Sequence, residues 1–234
     1  MKDRRRPESM LDGRLPYSEG LMAKTLILLV GGATGTGKST VTTEVAHRLG
    51  ITRVSSTDVV RQTMRAFFAR EFMPSIHYSS FEAGPAVTVP DDETTDSNLL
   101  GFLDQTRHVL VGVSAVLERA LTEGYSMAFE GVHLVPGLLP VSLEGAIVCQ
   151  CVLAIQDERK HASHFWVRAS ASEGLRPVEK YLHSLPAIRL IQDHLIEQAQ
   201  KVGVPVIENS RVEDTVDAVI DLVLTEVEQT RAVA

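Results

Sequence analysis

Residues 32–39 read Gly-Ala-Thr-Gly-Thr-Gly-Lys-Ser and fit the pattern G-x-x-x-x-G-K-[ST], which is typical of the phosphate-binding P-loop. An apolar run, residues 25–30, precedes this stretch, and residues 39–49 follow it with the spacing of a helix. The chain must therefore turn sharply from a buried strand into a helix. Glycines let successive backbone N–H groups converge at such a turn, and the helix N-terminus adds a partial positive charge. The pattern predicts binding of a nucleoside triphosphate.

The last residues of the pattern have distinct expected roles. We expect Lys38 to reach the β- and γ-phosphates of ATP as a catalytic residue, and the Ser39 hydroxyl to hold Mg²⁺. ATP and Mg²⁺ are therefore the predicted cofactors. The predicted nucleotide-binding residues are Gly32, Ala33, Thr34, Gly35, Thr36, Gly37, Lys38, Ser39 and Thr40.

Composition limits the class of protein and its partners. The chain has 234 residues and a formal net charge of −7, which argues against a surface built to coat nucleic acid. No apolar run approaches the roughly 18 residues of a membrane span, and the basic N-terminus lacks the apolar stretch of a secretory signal. We expect a cytoplasmic protein without nucleic-acid or membrane partners, with residues 1–22 as a mobile arm. The sequence leaves homodimer formation open.

Five apolar, β-rich runs alternate with helical patterns, at residues 25–30, 53–55, 126–130, 146–155 and 204–208. This alternation predicts an α/β P-loop NTPase of the nucleotide- and small-molecule-kinase type, with a five-stranded parallel sheet flanked by helices. The kinase domain would span residues 23–234. By analogy with that fold, residues 66–108 would form a substrate-side excursion and residues 157–181 a lid. Cys149 and Cys151 lie two apart on one run, too close for an ordinary disulfide, and are expected in the core.

The helix expected after the second strand carries candidate acceptor-binding residues. Thr57 is predicted to cap this helix, and Asp58, Arg61 and Arg65 then lie on one helical face. A carboxylate beside two guanidinium groups suits an acceptor with a hydroxyl to be activated and an anionic group to be held. Asp58 is thus a candidate catalytic residue. The alternative is an ordinary helix start, in which the acidic residue stabilises the helix dipole and both arginines are surface residues.

Glu130 ends the third predicted strand. A carboxylate at the C-terminal edge of a parallel strand faces the crevice where such sheets bind ligands. No apolar run ends in the Asp of a typical Walker B strand, so Glu130 or Asp58 is expected to assist Ser39 with Mg²⁺. The alternative is a solvated strand end.

The predicted lid contains His161, His164 and Arg168 at positions i, i+3 and i+7 of one helical face. Because an H-E-x-x-H pattern is absent, we interpret Arg168 as a catalytic phosphate contact and the histidines as donors to an anion. Arg159 and Arg176 are further candidates to neutralise the transferring phosphoryl group, and Arg176 is also assigned to substrate binding.

Several segments follow one another in an order typical of one enzyme family. They are residues 31–40, 57–65, 79–83 (Ser-Ser-Phe-Glu-Ala), 101–105, 130–137 (Glu-Gly-Val-His-Leu-Val-Pro-Gly), 161–168 and 188–192. Together they resemble the motifs of the 2-phosphoglycerate kinase family, over about residues 24–210.

The resemblance implies transfer of the γ-phosphate of ATP to the free hydroxyl of 2-phosphoglycerate, which gives 2,3-bisphosphoglycerate and ADP. It also places Glu130 and His133 in the binding site for this small anionic substrate. Two alternatives stay open. A similar enzyme phosphorylates a mevalonate phosphate, so the acceptor can be another anionic metabolite, and the acidic loop 91–96 looks additional to the family pattern. An ATP-binding regulatory switch is the second alternative.

Overall fold

The computed structural model describes residues 25–87, 96–139, 143–171 and 178–233. The strands are β1 (Thr25–Gly32), β2 (Arg53–Ser56), β3 (Met127–Gly131), β4 (Ala146–Ala154) and β5 (Val206–Glu208). They form one parallel sheet in the order β2-β3-β1-β4-β5. The predicted five-stranded parallel sheet is therefore confirmed.

Seven α-helices connect and flank these strands in the described part of the chain. They are α1 (Lys38–Arg48), α2 (Thr57–Phe67), α3 (Ser97–Glu123), α4 (Glu158–Ala171), α5 (Val178–His183), α6 (Leu185–Val202) and α7 (Val212–Val233). None of them is long and apolar enough to cross a membrane.

The central strand β1 is buried on both faces. Leu26, Leu28 and Val30 pack with α1 and α7, whereas Ile27 and Leu29 pack with α3 on the other face. A strand covered by helices on both sides reads as a continuous apolar run, which is why the sequence at this point shows no alternation. Cys149 and Cys151 of β4 are free and buried in the first of these layers, as expected.

The strand register brings the predicted site residues to one edge of the sheet. Val30 pairs with Glu130, and Ser56 pairs with the same Glu130 from the opposite side. The loop that follows β1, the start of α2 and the end of β3 therefore meet at the carboxyl edge, where open parallel sheets bind ligands.

The start of α2 differs from the prediction. Ser56, not Thr57, is the N-cap, because its hydroxyl accepts a hydrogen bond from the Val59 N–H over 3.3 Å. Thr57 is the first helical residue, and its hydroxyl forms a hydrogen bond with His133.

The predicted excursion, residues 66–108, contains the end of α2, three short 3₁₀ turns between Pro74 and Ala86, and the first part of α3. The predicted arm, residues 1–22, and most of the acidic loop 91–96 lie outside the described residues.

Candidate functional site

The P-loop joins β1 to α1 as the sequence predicts. Helix α1 begins at Lys38, with Gly37 as its N-cap. Gly35 and Gly37 have φ values of 89° and 84°, in the left-handed region that glycine adopts readily. Thr36 is buried, and its hydroxyl donates to the Ala33 carbonyl over 2.9 Å. The loop is thus tightly wound at a helix N-terminus, which favours a bound phosphate.

Lys38 lies inside this loop, where its ammonium donates to the Ala33 carbonyl over 2.7 Å. Burial lowers the pKa of Lys38, while the negative charges of Glu130 and then Asp58 oppose that shift. Both carboxylates are therefore near enough to act on the lysine. The structure brings together the predicted phosphate-binding lysine and the two predicted acidic residues.

The side-chain oxygens of Ser39 and Glu130 lie together at the mouth of the loop. The Ser39 hydroxyl donates to Glu130 Oε1 over 2.9 Å. These oxygens fit Mg²⁺, which is commonly held by one or two protein oxygens together with phosphate oxygens and water. Within the described ranges, no group of three or more His, Cys, Asp and Glu side chains could hold a metal by itself. Thr40, the next residue of α1, is exposed.

Asp58 and Arg61 form an ion pair on α2. Arg61 Nε and Nη2 donate to Asp58 Oδ1 over 2.9 and 2.8 Å, and Arg61 Nη1 donates to the carbonyls of Ile76 and Tyr78 over 2.9 Å each. The Arg61 side chain is 8% exposed and that of Asp58 is 66% exposed. Arg61 therefore anchors the 76–78 backbone, while Asp58 presents a carboxylate to solvent.

Arg65 differs from Arg61 in its surroundings. It lies one turn further along α2, where its Nη1 donates to Gln62 Oε1 over 3.0 Å at the surface. The structure therefore does not bring Arg65 into the Asp58–Arg61 pair.

His133 lies in a chain of buried hydrogen bonds. Its Nδ1 is 2.8 Å from Thr57 Oγ1, and its Nε2 is 2.8 Å from Gln105 Oε1. The Gln105 amide nitrogen donates to the carbonyls of Ser75 and Tyr78, so the amide oxygen accepts from His133 Nε2–H and the Thr57 hydroxyl donates to Nδ1. Burial lowers the pKa of His133 to about 3, which keeps the ring neutral. Both ring nitrogens are occupied, so an effect of His133 on an acceptor must pass through its neighbours.

Each histidine of α4 contacts the P-loop backbone through one ring nitrogen, which corrects the interpretation of buried His161 as an anion donor, whereas that of His164 stays a prediction. His161 Nε2 donates to the Thr34 carbonyl over 2.8 Å, and His164 Nδ1 donates to the Gly35 carbonyl over 3.0 Å. Phe165, 1% exposed, packs beside His161 with ring centroids 5.5 Å apart. The N-terminal half of the predicted lid is therefore attached to the nucleotide loop.

The structure describes the side chain of only one of the three arginines predicted in the lid. Arg168 lies on α4, but its side chain is not among the described ones, and Arg176 lies outside the described residues. Arg159 is exposed at the start of α4, and Trp166 is 57% exposed. Catalysis by Arg168 and substrate binding by Arg176 stay predictions.

Helix α5 contacts the substrate-side excursion. Lys180 forms an ion pair with Glu82 over 2.7 Å. Tyr181 stacks on Phe165 with centroids 5.2 Å apart and meets Phe81 at 5.8 Å. Aromatic rings in contact with one another therefore connect α4 with the predicted excursion.

Sequence reasoning missed two residues of the site. Asn209, 2% exposed, follows β5 and donates to the Thr36 carbonyl over 2.8 Å. Gln105 stood within a family-like segment without an assigned role. The signal for Asn209 is its position at the carboxyl end of a parallel strand, where polar residues reach the ligand crevice.

The fold resembles that of a gluconokinase from Sinorhizobium meliloti 1021, with a TM-score of 0.51, 13% sequence identity, and coverage of 91% of this chain and 98% of that one. At this identity the likeness concerns the fold alone. Fold and P-loop together define the class: a P-loop protein with the fold of the small-molecule kinases.

No family model matches the chain. It is 44% identical over 196 residues to the 2-phosphoglycerate kinase of Methanothermobacter thermautotrophicus, covering 83% of this chain and 64% of the relative. It is 41% identical over 204 residues to the 2-phosphoglycerate kinase of Thermococcus kodakarensis, covering 87% and 68%. The chain belongs to the 2-phosphoglycerate kinase family, and it spans about two thirds of the length of these relatives.

Proposed function

We propose that this protein is an ATP-dependent kinase that phosphorylates the free hydroxyl of 2-phosphoglycerate, giving 2,3-bisphosphoglycerate and ADP. Membership of the family supports this acceptor, since the curated relatives carry that name. ATP and the small acid are cytoplasmic metabolites, so a cytoplasmic location belongs to the same proposal.

The observation that carries the proposal is the meeting of Lys38, Glu130 and Asp58 at the edge of the sheet. Glu130 pairs in register with Val30, which precedes the loop, and with Ser56, which precedes Asp58, and it accepts a hydrogen bond from Ser39. A phosphate-binding lysine opposite an exposed carboxylate suits phosphoryl transfer, in which positioning and charge neutralisation dominate over covalent chemistry.

Asp58 is the residue that we assign to the acceptor hydroxyl. Its carboxylate is exposed and is held in one orientation by Arg61. It can accept the hydroxyl proton or orient the hydroxyl as attack begins. Arg65, partly exposed on the same helix, is assigned to the phosphate or carboxylate of the acceptor, with Arg176.

Arg61 and His133 act on the acceptor side chiefly as positioning residues. Arg61 fixes Asp58 and the 76–78 backbone, and His133 fixes Thr57 and Gln105. Ser39 and Glu130 would hold Mg²⁺, which would supply neutralisation of the charge that develops on the transferring group.

The test is acceptor-dependent ADP release with a panel of acids. Purified protein with ATP and Mg²⁺ is given 2-phosphoglycerate, 3-phosphoglycerate, glycerate, a mevalonate phosphate or no acid. We expect 2-phosphoglycerate to raise ADP release far above the rate without acid. If another acid gave a larger increase in ADP release, that acid would be the acceptor instead of 2-phosphoglycerate. Slow ATP hydrolysis at a rate that no acid changes would favour the regulatory switch.

A further inference from the structure

Three consecutive carbonyl groups of the P-loop accept hydrogen bonds from side chains that come from elsewhere in the chain. The Thr34 carbonyl accepts from His161, the Gly35 carbonyl from His164 and the Thr36 carbonyl from Asn209. The histidines belong to α4, whereas Asn209 follows β5. Two separate elements therefore hold the outer surface of the same loop.

The geometry of the peptide group links these bonds to the phosphate cradle. In a trans peptide the C=O of one residue and the N–H of the next point in opposite directions. A carbonyl held towards α4 or Asn209 thus aims the following N–H towards the inside of the loop. Among the described residues, the N–H groups of Gly35 and Gly37 donate to no protein acceptor, so they are available to an anion. The Thr36 N–H, which follows the carbonyl held by His164, donates to the Ala33 carbonyl over 3.4 Å.

Two of the side chains that hold the carbonyls, those of Asn209 and His161, are themselves fixed by further contacts. Asn209 Oδ1 accepts from the Thr215 hydroxyl over 2.8 Å, which orients the amide so that its nitrogen faces the loop. His161 is fully buried beside Phe165. A Cβ on Gly35 would lie 2.6 Å from the Phe165 ring, so the loop backbone and α4 are in close contact.

We propose that His161, His164 and Asn209 are positioning residues that preset the P-loop for phosphate binding by holding three successive carbonyl oxygens away from the cradle. A loop free to rotate these peptide groups would turn carbonyl oxygens towards the phosphates, and binding would have to reverse that rotation. Presetting removes this cost. The proposal rests on the proposed use of ATP, but it concerns the phosphates alone and is independent of the acceptor.

The test measures equilibrium binding of ATP and of inorganic tripolyphosphate, without any acceptor. His161→Leu and His164→Leu each remove one donor, and about fivefold weaker binding is expected per lost bond, equal for both ligands. His161→Gln and His164→Asn place an amide N–H near the lost ring nitrogen and should restore most of the affinity. His194→Leu, in a partly buried histidine of α6 outside the loop, is the matched control.

His164 is only partly buried, so its leucine variant is expected to fold even if the His161 variant does not. Unchanged tripolyphosphate affinity in folded His164→Leu, or loss that His164→Asn does not restore, would overturn the proposal. If the wild-type protein bound ATP normally but transferred phosphate to no acid, the proposed kinase activity would be wrong. The proposed positioning role of these residues would be unaffected.

Discussion

The phosphate side of the proposed site, residues 33–39, and its proposed acceptor side, formed by α2 and residues 74–78, are built in different ways. On the phosphate side, distant side chains hold the backbone and the key lysine is buried. On the acceptor side, the carboxylate of Asp58 is exposed, and buried Arg61 and Gln105 hold backbone carbonyls of a segment without long helices or strands. The proposed ATP-binding loop is therefore held from outside by distant side chains, whereas the proposed acceptor side depends on a few buried polar contacts.

The largest effect is expected from Lys38→Ala, which removes the only charge that the phosphate side offers inside the loop. We expect ADP formation to fall by about a thousandfold or more, because transition-state charge loses its nearest cation. Lys201→Ala is the control, since Lys201 is exposed on α6 and pairs with Glu197. A Lys38 variant that kept a tenth of the wild-type rate would contradict the role of the cradle.

Arg61→Ala should damage the acceptor side alone. It removes the Arg61 donor from the Ile76 carbonyl, whereas the Tyr78 carbonyl keeps the donor from Gln105. One unsatisfied buried group of this kind costs about 1–3 kcal/mol of unfolding free energy. We expect the acceptor KM to rise about tenfold or more while the KM for ATP stays within about twofold, by steady-state kinetics. Arg65→Ala distinguishes direct contact with the acceptor from anchoring of the 76–78 backbone. It should raise the acceptor KM without lowering the free energy of unfolding. If Arg61→Ala left acceptor kinetics normal, Arg61 would not belong to the site.

Gly35→Ala should weaken the phosphate side through its contact with α4. The new Cβ would meet the Phe165 ring, which cannot move easily because Tyr181 stacks on it. We expect about tenfold weaker ATP binding, with about 1–3 kcal/mol of lost stability from strain. Gly50→Ala is the control, since Gly50 has a φ of 69° but no atom within 4 Å of the added Cβ. Equal ATP affinities in the two variants would show that the contact with α4 does not matter.

The smallest effect is expected from acid, acting on the buried hydrogen bonds of the acceptor side. Burial lowers the pKa of His133 to about 3, whereas an unfolded histidine titrates near its ordinary value of 6.5. Below pH 6.5 the unfolded chain therefore takes up a proton that the folded protein does not, and stability falls with pH down to about 3. Between pH 7 and pH 5 this amounts to about 2 kcal/mol of unfolding free energy, measured by denaturant titration.

His133→Gln should reduce that pH dependence, and His47→Gln, in an exposed histidine of α1, is the control. An equal loss of stability in acid for wild type and His133→Gln would contradict a buried neutral His133. Burial also lowers the pKa values of His161 and His194, so both histidines add to the loss of stability in acid.

The phosphate side was predictable from sequence to the extent that it is local. The glycines, Lys38 and Ser39 lie within eight consecutive residues, and the apolar run before them fixes the strand. The holding of the loop by His161 and Asn209 was not predictable, because these residues lie far from the loop in sequence and meet it only when β4 and β5 pair beside β1.

On the proposed acceptor side, the helical face was predictable but the partners of its residues were not. The three-residue spacing placed Asp58 and Arg61 on one helical face, as the structure has them. Nothing local indicated that Arg61 would be buried against two carbonyls, or that His133 would bond Thr57 and Gln105. Those bonds join β3, α2 and α3, so they depend on how the elements pack.

The most direct test of the proposed kinase activity follows the γ-phosphate of ATP itself. Enzyme in excess over γ-labelled ATP is mixed with 2-phosphoglycerate and Mg²⁺, and the label is located after a single turnover. We expect the label to appear in 2,3-bisphosphoglycerate, with one ADP formed for each labelled product. Label released as inorganic phosphate, at a rate that the acid does not change, would contradict that activity.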